Sequence, residues 1–107
     1  MNLLERLYLR WQLRRVPARL RILHALNAGE TTALDISRKY AISSGRLYAH
    51  LFRLEHAGQV TSDWRPDGRR GYALAPGWAP VSYSEVVTPD LAARLDHLTA
   101  LRAQAHA

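Results

Sequence analysis

Between Thr32 and Leu74 two helical segments give way to an alternating one with no long loop between them, and this order constrains the fold more than any other feature. Thr32-Ala33-Leu34-Asp35 has the form of a capping box, with Asp where Glu or Gln is usual. It predicts a helix over 33–40, with Leu34 and Ile36 apolar and Tyr40 at the end. Ala41-Ile42-Ser43 is a short turn, and Ser43 is a good N-cap for a helix over 44–57. Leu47, Leu51 and Leu54 recur along that helix at i, i+4 and i+7, and Gly58 ends it. Residues 59–64 and 71–75 then alternate around a turn holding Pro66-Asp67-Gly68, the pattern of a β-hairpin. Helix, turn, helix, hairpin is the order of a helix-turn-helix with a wing.

Further helices flank this unit. Leu3, Leu4, Leu7, Tyr8 and Trp11 share one face of a helix over 2–15. Pro17 interrupts it and suits the first turn of a second helix over 17–27, which stops at Asn27-Ala28-Gly29. Residues 76–88 are rich in turn formers and read as irregular. Asp90, after Pro89, opens a last helix with Leu91, Leu95, Leu98 and Leu101 on one side. The expected fold is therefore mainly α with a small β-hairpin: a winged helix-turn-helix with extra N- and C-terminal helices. Its parts are an N-terminal helix (1–16), a winged-helix DNA-binding domain (17–75), a linker (76–88) and a C-terminal helix (89–107).

With 107 residues the chain makes one domain with a thin core, which favours support from a partner subunit. It has no cysteine, which excludes disulfides, a thiol nucleophile and cysteine-ligated metal. No apolar run is long enough for a membrane span, and the charged N-terminus is unlike a signal peptide. A cytoplasmic, nucleoid-associated location is the expectation.

The formal net charge is +6, and all but one of the fifteen basic residues are arginine. Such a balance points to an acidic partner, most often nucleic acid, although genome composition also produces arginine bias. Placement sharpens the reading. A helix after a short turn can enter the major groove, about 12 Å wide, with its N-terminal residues at the base edges. Here those residues are Ser43, Ser44, Gly45 and Arg46, the first three small enough to let the phosphate backbone approach free N–H groups. Arg46, His50 and Arg53 form a stripe on the face read as opposite the leucines, suited to bases or phosphates. A solvated helix face is the bland reading of the same stripe. Tyr48 beside it fits either a phosphate contact or the core under the wing. Arg65, Arg69 and Arg70 in the hairpin turn are placed to follow the backbone or enter a minor groove. A solvated loop, partly neutralised by Asp63 and Asp67, is the other reading.

Ser43-Ser44-Gly45-Arg46-Leu47-Tyr48, the run from Leu51 to Gly58, Trp64, and Gly68-Arg69-Arg70-Gly71-Tyr72-Ala73-Leu74 together resemble the PadR family of transcriptional regulators. The resemblance covers about residues 20–75. Ala49, Gln59 and Ala33-Leu34-Asp35-Ile36 depart from the family pattern. The resemblance implies a homodimeric DNA-binding repressor, with a recognition helix in the major groove, a wing on backbone or minor groove, and a C-terminal helix in the dimer.

The flanking stripes point to a dimer independently. Leu3, Leu4, Leu7 and Trp11 on one helix, and Leu91, Leu95, Leu98 and Leu101 on the other, are expected to pair across a two-fold axis; packing on their own domain is the alternative. No metal-ligand spacing, nucleophile elbow, phosphate loop or dinucleotide fingerprint occurs, so neither catalysis, metal nor cofactor is expected. His24 reads as a neighbour of the core. Trp11, Trp64 and Trp78 admit a small aromatic effector stacked between subunits, with core packing as the alternative. The expected activity is sequence-specific binding of double-stranded DNA by a dimeric regulator, a repressor. Two other readings of the same fold are a protein-interaction module and an architectural or recombination-accessory DNA binder.

Overall fold

Capping and apolar spacing set the elements, in chain order α1 (Leu3–Arg15), α2 (Ala18–Asn27), α3 (Ala33–Tyr40), α4 (Ser44–His56), β1 (Val60–Trp64), β2 (Arg70–Leu74), α5 (Val81–Val86) and α6 (Pro89–Ala105). The computed structural model describes residues 2–78 and 81–105. Met1, Ala79, Pro80, His106 and Ala107, which belong to the expected 1–16, 76–88 and 89–107 segments, lie outside the described residues. Thr32 caps α3 as its spacing predicts: its hydroxyl accepts from the Asp35 N–H and donates to the Asp35 carboxylate at 2.8 Å. Gly58 follows α4 with φ +74°, a left-handed conformation that glycine adopts without a Cβ penalty.

The hairpin pairs Val60 with Leu74, Ser62 with Tyr72 and Trp64 with Arg70 in antiparallel register. Val60 and Tyr72 turn inward. The Tyr72 N–H donates to the Thr31 carbonyl at 2.8 Å, so β2 is also held to the loop before α3. The main core gathers Ile22, Leu23 and Leu26 of α2, Ile36 of α3, and Leu47, Leu51 and Leu54 of α4 beneath the hairpin.

Two expectations are corrected. Residues 76–88 are not an irregular linker. They contain α5, whose Tyr83 is buried, and Val87 just after it is buried in the main core. Leu95 and Leu98 are not free for a partner subunit: they are buried against Leu9, Leu13 and Val16 of the same chain. Leu91 and Leu101 are half-buried at the edge of that second cluster. The reason lies in α1, which is apolar on two opposite sides at 3.6 residues per turn. Leu9 and Leu13 face α6, while Leu3, Leu4, Leu7 and Trp11 face outward.

Arg21 of α2 ties the C-terminal ends of α1 and α3 to its own helix. It is 1% exposed, and its Nε donates to the Val16 carbonyl at 3.1 Å. Its Nη1 donates to the carbonyls of Tyr40 at 2.8 Å and Ala41 at 3.1 Å. Burial, with Arg46 and Arg14 nearby, lowers its pKa to about 10, which leaves it charged at neutral pH. Ala41, where the chain turns towards α4, has φ +56°, a left-handed position costly for any residue with a Cβ. Ala41→Gly is therefore expected to raise the unfolding free energy by up to about 1 kcal/mol. A higher urea midpoint at constant slope is the check, and an unchanged or lower midpoint contradicts it.

Candidate nucleic-acid interface

The turn fixed by Arg21 sets the start of α4. Ser43 occupies the N-cap with extended backbone, but its hydroxyl makes no capping hydrogen bond. The Leu47 N–H is satisfied by the Ser43 carbonyl at 2.9 Å, the first turn of the helix ladder. Ser43, Ser44, Gly45 and Arg46 are all exposed, so the N–H groups of the first turn face solvent where an anion would be favoured. A Cβ on Gly45 would touch nothing inside the chain. The bare surface there serves no packing need and leaves room for close approach from outside.

The cationic stripe is only partly as the sequence reading has it. Arg46 and Arg53 are exposed, but His50 is half-buried. At 3.6 residues per turn His50 lies beside Leu47 and Leu54, on a flank of α4 and not opposite them. Burial, and then the charges of Arg53, Arg46 and Arg21, lower its pKa below the ordinary histidine value. Tyr48 is exposed and out of the core, bordering a groove between α4 and β2 that Arg70 and Tyr72 also line. The line farthest from the buried leucines runs through Gly45, Ala49, Phe52, Arg53 and His56. Sequence reasoning missed Phe52 and His56 here, although the helical period alone places them.

The three wing arginines have different surroundings. Arg65 folds back, donating from Nη1 to the Thr31 hydroxyl at 2.6 Å. It crosses Gly71, where an added Cβ would stand 3.2 Å from the Arg65 side chain. Arg70 lies over the Trp64 ring, its guanidinium carbon 5.4 Å from the ring centre, and its Nε donates to the Ser62 hydroxyl at 3.0 Å. Arg69 sits exposed at the tip, where its backbone N–H donates to the Asp67 carboxylate. The turn is closed by the Arg65 N–H on the Arg69 carbonyl. Among the three, Arg69 alone extends its side chain with no described hydrogen bond or ring contact inside the wing.

Elsewhere, the expected sites separate. Trp11 is exposed on α1 under Arg15, Trp64 is on the wing, and Trp78 packs on the main core. No shared indole cage forms from them. His24 is buried, with Nδ1 against the Tyr83 hydroxyl at 2.8 Å and Nε2 against Asp96 at 2.7 Å. Those contacts fasten α2 to α5 and α6. Among the described residues no group of three or more His, Asp or Glu side chains could hold a metal ion. No helix among them is long and apolar enough to cross a membrane.

Residues 16–62 match the family profile described as "Bacterial regulatory protein, arsR family". The segment runs from the end of α1 into β1 and overlaps the PadR-like stretch, but names a different regulator family. No curated protein matches the chain. Among solved structures, the crystal structure of a mutant MarR from E. coli is similar, with TM-score 0.60 and 20% identity. The match covers 84% of this chain and 74% of that one. The fold is thus a winged helix-turn-helix, mostly helical with a two-stranded wing, and the matched segment supports a transcriptional regulator that binds DNA.

Proposed function

We propose that this chain is a sequence-specific double-stranded DNA-binding regulator that acts as a dimeric repressor of the PadR-like kind, in the cytoplasm at the nucleoid, by binding alone and without catalysis. The observation that carries the reading is the exposed, uncapped start of α4, with Arg46 and Arg53 on the helix and Arg69 at the wing tip. Helix N–H groups and cations face outward, and none of these three arginines has an ion-pair partner among the described residues. That arrangement suits contact with a polyanion.

Two kinds of contact follow. Arg46→Ala or Arg53→Ala is expected to weaken binding to a selected site by about 1–3 kcal/mol if the side chain reads a base. Arg69→Ala is expected to weaken all duplexes alike and to flatten the salt dependence by about one unit. Titrations by fluorescence anisotropy at several salt concentrations separate the two. Unchanged affinity in all three variants overturns this face as the interface.

The dimer rests on α1, whose outward side leaves Leu3, Leu4, Leu7, Tyr8 and Trp11 uncovered, Leu4 being 76% exposed. A contiguous apolar face of this kind on a small protein marks an interaction surface. A two-fold dimer would place its recognition helices on half-sites about 10 bp apart or a multiple of that. Leu4→Glu is expected to convert the dimer to a monomer in light scattering after size exclusion, with secondary structure retained. A monomeric wild type at micromolar concentration contradicts the dimer.

A further inference from the structure

We propose that Phe52 is a specificity-determining residue: its ring packs on the C5-methyl group of a thymine in the major groove, fixing an A·T pair at that position of each half-site. The inference rests on the DNA-binding reading and adds to it a residue and a base.

Phe52 is 65% exposed in the middle of α4, although three leucines of the same helix are buried. It stands on the line farthest from those leucines, next to Ala49 and Arg53. Its ring lies against His56, with ring centres 4.5 Å apart, so the ring is supported before any ligand arrives. An apolar ring alone on a solvated face fits many occupants, but the surroundings narrow them. Arg46 and Arg53 stand on one side of it around α4, Glu55 is the single acidic group lining the groove on its other side, and Arg69 and Arg70 are exposed on the adjoining wing, so cations outnumber the one carboxylate. Charge complementarity therefore selects a polyanion over an apolar peptide. On the floor of the major groove the apolar feature is the thymine methyl, which Ala and Phe side chains contact. Phe52 offers no hydrogen bond, so it discriminates by that methyl group alone.

The test begins with duplexes selected by the wild-type protein from a randomised pool. Each thymine of the enriched half-site is then replaced in turn by deoxyuridine, which removes only the methyl group. Wild-type protein is expected to lose about three- to fivefold in affinity at one such position, the worth of one buried methyl group. Phe52→Ser is expected to bind the thymine site more weakly than wild type and to bind thymine and uracil sites equally. Because Phe52 is exposed, the variant should keep the wild-type melting temperature, which separates a lost contact from a lost fold. The inference is overturned if no thymine-to-uracil exchange weakens the wild type, or if the penalty persists in Phe52→Ser. It is also overturned if Phe52→Ser binds every duplex as the wild type does, an outcome that assigns the ring to a protein partner. Failure to enrich any sequence brings down the DNA-binding reading itself, a result distinct from enrichment of a site indifferent to the methyl group.

Discussion

Arg21→Met is expected to lower the unfolding free energy by about 3 kcal/mol, a large part of the roughly 5–15 kcal/mol typical of a small domain. Methionine roughly fills the space but donates nothing. The carbonyls of Val16, Tyr40 and Ala41 then lose their charged donor, and each such bond is worth about 1.5–3 kcal/mol. Relief of the buried charge and of its repulsion with Arg46 and Arg14 offsets part of that loss. Orphaned buried carbonyls should outweigh the relief, because two of them belong to the turn between α3 and α4. Urea denaturation checks the value, and a variant as stable as the wild type contradicts it. DNA affinity should fall as well, since the turn sets the direction in which α4 leaves the core.

Leu95→Ala is expected to cost about 3 kcal/mol, within the range of about 2–5 kcal/mol for such truncations. Leu95 is 0% exposed, enclosed by the cluster that joins α6 to Leu9 and Leu13 of α1. The cost is expected in the protomer and should not depend on protein concentration. A contact between subunits would behave differently, with a loss that grows on dilution and a smaller mass in solution. A Leu95→Ala variant that keeps the wild-type melting temperature but dissociates would show that the helix packs on a partner after all.

These two residues also show where sequence reasoning stops. The helix-turn-helix and wing are legible because each element carries a local signal: the Thr32 cap, the leucine spacing of α4, the Pro-Asp-Gly turn. α5 is not, because six residues among prolines and a glycine give no period to read. α1 misleads because its more continuous apolar stripe is the exposed one. The leucines it buries are fewer and stand beside Arg6 and Arg10 on the helix wheel. In the sequence Arg21 is one more cation in a basic chain. Its role depends on carbonyls from the ends of α1 and α3, brought together only by the fold. At the candidate site the residue types are legible but their directions are not. His50 turns to a flank, Arg65 folds back on Thr31, and Phe52 emerges on the outer line that the arginines were expected to hold.

Whether the exposed face of α4 and the wing read DNA sequence is decided by anisotropy titrations at two salt concentrations. The two probes are a random duplex pool and the DNA just upstream of the protein's own coding region. Tighter binding to the upstream DNA is expected, with a preference that survives the higher salt. Equal, salt-labile binding to both would contradict sequence reading, leaving only the attraction of a basic protein for any polyanion.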